Sequence, residues 1–269
     1  MKKVLKFVGI LVLTMAFVLG TETLTSVMLI SISKLTNNGE VDLIEISKCQ
    51  IIFGQLLRLV LMYIFVVLIN KKRPDKNNIK INYQGFLPDS WKMLVIGLGV
   101  AGFGNWLISL LFALIGDLPS VTNTIEQFNN VFQLNENLDF FLMLLGAVLL
   151  APISEEILFR GLVFEKLKSI YTLPWAIILS GIIFGVYHMN ILQGVNTFIM
   201  GMVLAFVYYY RKNITDAILI HVVNNFFALT VGLNETVALI TTVVSTICIF
   251  VAIKYLKEFK KELNWKLYI

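Results

Sequence analysis

Polar positions are sparse in this chain and separate long apolar runs, which predict helical membrane spans near residues 7–32, 49–70, 92–116, 140–162, 173–190, 195–210, 214–231 and 236–254. Each run is of the order of the ~20 helical residues that cross ~30 Å of hydrocarbon. The first run follows Lys2, Lys3 and Lys6 and passes Gly20, an arrangement similar to a signal peptide. Its apolar pattern resumes after Thr23 for another helical length, so an uncleaved span is expected. The stretch 71–80, with Pro74 and two asparagines, is the best linker. No repeat, low-complexity tract or separate soluble domain is visible, and a single helical membrane domain over 1–269 is expected.

Composition agrees with this pattern. The chain is 58% hydrophobic and 14% charged, with a mean hydropathy of +0.82, whereas soluble domains keep about a quarter of their residues charged. A soluble globular domain is excluded. Two cysteines, Cys49 and Cys248, give neither a disulfide framework nor metal-ligand spacing, and Cys248 reads as a small buried thiol in an apolar run. The net charge of +5 does not indicate a nucleic-acid partner, because the cations sit at span ends. With an inside N-terminus, the segments 2–6, 71–92, 160–168, 211–212 and 254–266 hold nineteen of the twenty-two Lys and Arg residues on the cytoplasmic side. Lys34 and Lys48 fall outside, Arg58 falls within a span, and the loop 117–139 carries Asp117, Glu126, Glu136 and Asp139 without a basic residue. The prediction is an all-α polytopic protein of about eight transmembrane helices with both termini cytoplasmic. The cations at 71–73 and 257–261 also suit contact with anionic lipid.

An ionisable side chain within a span costs roughly 2.5–3.5 kcal/mol on insertion scales, so its presence is informative. Such residues are Glu22, Arg58, Glu155, Glu156, Arg160, His188 and His221, joined by amides at Gln55, Asn105, Asn190, Asn224 and Asn225. Glu22 and Arg58 either pair across the first two spans or serve a shared cavity. On an α-helix Glu156 and Arg160 lie ~40° apart and can pair, while Glu155 points ~100° away from Glu156. Pro152 is expected to kink the helix and free a carbonyl. Phe184 and His188 share a face at four residues, as do His221 and Asn225, with Asn224 close to that face. Each cluster has an ordinary structural reading: a Glu–Arg packing pair, a histidine capped by Asn190, and interhelical hydrogen bonds from His221. Three successive polar clusters in a chain that otherwise avoids intramembrane charge are more simply explained by one polar cavity. Its inventory suits water activation and oxyanion stabilisation in amide hydrolysis.

Glu155-Glu156-x-x-x-Arg160, Phe184-x-x-x-His188 and His221-x-x-x-Asn225, in that order, resemble the three motifs of the CPBP family of CAAX prenyl proteases and bacteriocin-processing or immunity enzymes. The resemblance covers about 139–231, the expected catalytic core. It implies an eight-span intramembrane endopeptidase, a hydrolase with its cavity open to the cytoplasm. Glu155 would activate water with help from His188, and His221 and Asn225 would stabilise the oxyanion. Glu156 and Arg160, with Phe184 and Asn224, would support the site. A metal-dependent form would use zinc held by His188, His221 and one of Glu155 or Glu156, leaving the other as base; the spacing leaves both forms open.

The implied substrate is a membrane-associated protein or peptide, with CAAX trimming, leader processing and self-immunity all within the family's range. Richness in Lys, Asn and Ile points to a low-GC bacterium, hence to a bacterial peptide or membrane protein in the plasma membrane. Two rivals belong to other classes: an idle scaffold regulating a sensor protein, and a transporter lined by the same ionisable residues. Straight, centred spans would place Glu155 toward the cytoplasm, His221 near mid-depth and His188 ~9 Å toward the outside. Bending at Pro152, tilt after Pro174 or a re-entrant start to the fifth span is needed to bring them to one depth.

Overall fold

The computed structural model describes residues 2–36, 38–72, 79–116, 137–231 and 235–266. Eight helices and no strand make up the regular structure among them: α1 (Lys2–Thr36), α2 (Leu43–Lys72), α3 (Trp91–Ile115), α4 (137–168), α5 (Leu173–Tyr187), α6 (Ile191–Arg211), α7 (Ile214–Val231) and α8 (Glu235–Lys266). Each predicted span falls on one helix. Six helices are long and apolar enough to cross a membrane, which makes this a multi-pass membrane protein; α5 and α7 are apolar but shorter. Helix ends differ from the predicted spans where polar residues continue the helix beyond the apolar run, most at α8, which extends to Lys266. The fifth apolar run stops early: His188 is the C-cap of α5 and lies outside the helix proper. Both cysteine thiols are half-buried rather than buried. The acidic loop lies outside the described residues up to 136, as does the linker at 73–78.

The helices sort into two compact units, one formed by the chain through Lys80 with the part of α4 up to Leu158, the other by residues 81–116 and the chain from Phe159 onward. In the first unit, α1 buries Thr14, Val18, Thr21 and Thr25, a stripe at spacings that follow one helical face. The threonine hydroxyls bond back to carbonyls of their own helix, so these polar groups enter the unit satisfied. Helix α4 approaches α2 at Gly146, where a Cβ would stand 2.7 Å from the Ile51 side chain.

In the second unit α6, α7 and α8 all pack on α3. Glycines on α3 set the approach: a Cβ at Gly97 would meet Val223, and one at Gly99 would stand 2.8 Å from the Cys248 carbonyl oxygen. The α5–α6 hairpin is closer still, with the Gly194 carbonyl 2.6 Å from a Cβ built on Gly185. Small residues carry such contacts in membranes because hydrocarbon gives helices no hydrophobic reason to associate, so dispersion at short range must do it.

One end of this unit is tied by charge. Arg211 donates from both terminal nitrogens to Asp89 (2.8 and 2.6 Å) and from Nε to Asp216 (2.9 Å), and Ser90 donates to Asp216 at 2.9 Å. The strap before α3 is held by the α6–α7 turn: Ile214 N donates to the Asn82 carbonyl (2.8 Å) and Gln84 N to Asn213 Oδ1 (3.0 Å). Lys92, near the start of α3, reaches Glu258 on α8 at 3.7 Å. The ends at 89–92, 211–216 and 258 thus meet at one end of the unit.

The Arg211 hydrogen bond holds the Asp89 carboxyl below its ordinary value, partial burial opposes this, and the charges of Arg211 and Lys92 reinforce the lowering. A carboxyl lowered on folding stabilises the fold above the ordinary carboxylate range and loses that contribution as pH falls through its lower folded value. Thermal unfolding followed below about pH 4 is expected to show a shallower acid loss in Asp89→Asn than in the parent protein; identical slopes would contradict the assignment. Gly185→Ala is expected to cost about 1–3 kcal/mol by forcing α5 from α6, whereas Gly9→Ala, with nothing within 4 Å of its Cβ, is expected to be neutral or stabilising in the same unfolding assay.

Candidate active site

Helix α5 ends because the chain turns sharply into α6. Met189 takes a left-handed backbone (φ 50°), and Asn190 caps α6 by accepting from Leu192 N (2.9 Å) and Gln193 N (3.3 Å). The Asn190 side chain therefore serves the helix that follows it. His188 is anchored one turn back, its Nδ1 3.0 Å from the Phe184 carbonyl oxygen. A carbonyl only accepts, so Nδ1 carries the proton and the basic nitrogen of the neutral ring is Nε2.

Phe184 organises the motif residues of the second unit. Its buried ring meets the His188 ring at 5.1 Å between centroids and the His221 ring at 5.7 Å, both nearly perpendicular to it. The Arg160 guanidinium lies over the same ring at 4.7 Å, a cation–π contact in a place where charge is costly. Arg160 is fully buried and its Nη2 donates to the Gly201 carbonyl oxygen at 3.3 Å. Gly201 lies ten residues before Arg211 in α6, a rise of about 15 Å, or about half the hydrocarbon thickness. The two imidazoles, which straight centred spans would hold at different depths, are thus brought to one aromatic ring. Phe159 and Tyr187 join the ring cluster: Phe159 lies 4.7 Å from Phe184 and 5.2 Å from Tyr187, and Tyr187 lies 4.8 Å from His188. Neither aromatic is singled out by spacing, although each adjoins a motif residue.

His221 is 1% exposed on α7. One turn on, Asn224 is buried and donates to the Asn225 side-chain oxygen at 3.1 Å, leaving Asn225 half-buried on the face shared with His221. An acceptor oxygen fixed in this way orients the Asn225 amide so that its N–H groups point away from Asn224.

Glu155 and Glu156 belong to the first unit, where both are buried, Glu156 completely. They close the short α-helical segment Ala151–Glu156, which π-helical turns flank at Leu144–Leu150 and Ile157–Phe164. The π turns give the effect of Pro152 a more specific form than the predicted kink. Proline lacks an N–H and its ring crowds the carbonyl four residues back, and a widened turn relieves both; the N–H of Ala151 bonds to Gly146, five residues back. Glu22 and Arg58 do pair across α1 and α2. Arg58 also donates to Thr21 Oγ1 (3.1 Å) and Gln55 Oε1 (3.2 Å), and Gln50 donates to Glu22 at 2.5 Å. Ser154, beside Glu155, donates to the same Gln55 oxygen; no motif spacing pointed to that serine.

Among the described residues no three or more His, Cys, Asp and Glu side chains are gathered so as to hold a metal ion. No curated protein and no solved structure matches the chain. Residues 137–227, about a third of the chain and including all three motifs, match the family model described as type II CAAX prenyl endopeptidase Rce1-like, so this segment is Rce1-like in sequence.

Proposed function

We propose that this protein is an intramembrane endopeptidase that hydrolyses a peptide bond of a membrane-associated protein or peptide, acting in a bacterial plasma membrane with both termini cytoplasmic. The observation that carries the reading is the polar group around Phe184: two imidazoles and a guanidinium meet one ring within apolar helices. The match over 137–227 supplies the reaction class. Arg160 would also pair with Glu156 to hold the motif helix.

In the proposed reaction Glu155 accepts a proton from water as the water oxygen attacks the scissile carbonyl carbon. His188, with its proton on Nδ1, receives hydrogen bonds at Nε2 and helps orient that water. Charge then develops on the carbonyl oxygen, where His221 and the Asn225 amide donate. Collapse of the tetrahedral intermediate breaks the C–N bond and returns the proton from Glu155 to the leaving nitrogen, giving a carboxylic acid and an amine that separate as carboxylate and ammonium. Hydrocarbon surroundings strengthen each of these dipoles by excluding bulk water. The CAAX description belongs to the matched family; for this chain a bacterial peptide or membrane protein is the proposed substrate.

The test is purified protein in liposomes with a panel of quenched fluorogenic peptides. Glu155→Gln and His221→Ala are each expected to lower turnover by about 10²–10⁴-fold while still inserting; variants as active as the parent would overturn the reading. A chelator arm with zinc add-back decides metal dependence: activity lost and restored by zinc assigns a metal, and activity untouched assigns metal-free water activation. In addition, Glu156→Gln is expected to reduce folded yield more than Glu155→Gln, since stranding one member of a buried pair costs about 3–5 kcal/mol. Equal yields would remove the division of labour between the two carboxylates.

A further inference from the structure

We propose that Gln55 and Ser154 are positioning residues for Glu155, locking the rotational phase of the motif helix against α1 and α2. The proposal rests on the peptidase reading and extends it to groups that the three motifs do not contain.

The argument starts from direction. Arginine has no acceptor, so the Gln55 side-chain atom facing Arg58 Nη1 at 3.2 Å must be its oxygen. That oxygen's second lone pair takes the Ser154 hydroxyl proton, whose other acceptor within reach, the Ala151 carbonyl oxygen of its own helix, is farther at 3.2 Å. Arg58 is itself fixed at two further points, Thr21 Oγ1 and Glu22, both on α1. Arg58 thus joins α2 to α1, and the Gln55 oxygen, accepting from Arg58 on one side and Ser154 on the other, joins α2 to α4 one residue from Glu155. Arg58, Gln55 and Ser154 are all buried.

The motif helix needs such a lock. Its six-residue α-helical segment lies between two π-helical stretches, and π turns arise from a one-residue shift in hydrogen-bond register. A one-residue change of phase turns a helix by ~100°, which would carry Glu156 toward the direction Glu155 had faced. Backbone hydrogen bonding alone discriminates poorly between registers in such a segment. A side-chain bond from the segment to a neighbouring helix does discriminate, because only one phase presents the Ser154 hydroxyl to Gln55. An ion pair such as Glu22–Arg58, with Arg58 buried and Glu22 half-buried, adds little net stability over apolar packing. Directional anchoring gives it a role.

The experiment compares Gln55→Leu, Ser154→Ala, the double variant and the conservative Gln55→Glu, which keeps an acceptor oxygen for Arg58 and Ser154. Peptide turnover is measured in liposomes beside Glu155→Gln, and amide hydrogen exchange is followed across 144–158. Each single variant is expected to lower kcat about tenfold to a hundredfold, the range associated with ~1 Å misplacement, with KM within about twofold of the parent. The double variant is expected to match the worse single, since both remove one bond, and Gln55→Glu to keep at least about half of the parent kcat. Exchange across 144–158 is expected to quicken in Gln55→Leu and Ser154→Ala and not in Gln55→Glu. Parent-level kcat in both single variants while Glu155→Gln is inactive overturns the lock and leaves the peptidase reading standing. If the parent cleaves no peptide, the peptidase reading fails instead, and exchange alone decides the lock: unchanged exchange overturns it, and quickened exchange supports it.

Discussion

Hydrocarbon offers no hydrogen bonds, and that constraint shapes every polar contact in this protein. A guanidinium, an imidazole or a carboxamide within a span must find its partners on neighbouring helices or on its own backbone. Arg160 finds the Gly201 carbonyl and an aromatic face, His188 the Phe184 carbonyl, and Arg58 a carboxylate, a hydroxyl and an amide. Each solution fixes direction as well as energy. The side chains that are dearest to bury are therefore also among the best oriented.

Two kinds of contact divide the labour of assembly. Glycines at 97, 99, 185 and 194 let backbones approach closely and supply cohesion through dispersion. Such contacts say little about rotation, because a small residue tolerates several phases. The polar contacts supply what the glycines lack: the Gly185–Gly194 approach brings α5 against α6, and the ring contacts of Phe184 select which face of α5 meets Arg160 and His221.

Much of this was legible in the sequence for a physical reason. Bilayer thickness dictates the length of an apolar run, so all eight helices appear in the hydropathy pattern, and intramembrane charge is rare enough that Glu22, Arg58, Arg160 and His221 stand out. Helix ends were less legible, because α8 continues as a charged helix beyond its apolar run. The consequence of Pro152 depended on whether the backbone bends or widens, a choice made by packing. Gln55 stands out in the sequence as a costly amide. Ser154 does not, since a serine can satisfy itself on its own helix, as its 3.2 Å approach to the Ala151 carbonyl oxygen shows. Phe159 and Tyr187 were invisible among ordinary apolar residues until their contact with Phe184 was seen.

The hairpin of α5 and α6 joins helices of unequal length, 15 residues against 21. Tied together at the His188–Asn190 turn, the shorter helix must end about 9 Å below the Arg211 end of the longer one. The chain reaches that sunken start through residues 169–172, and Trp175 lies exposed just within it. A bilayer of uniform thickness matches only one of the two rims, and a mismatch of this size is met by local thinning or by tilt of the hairpin.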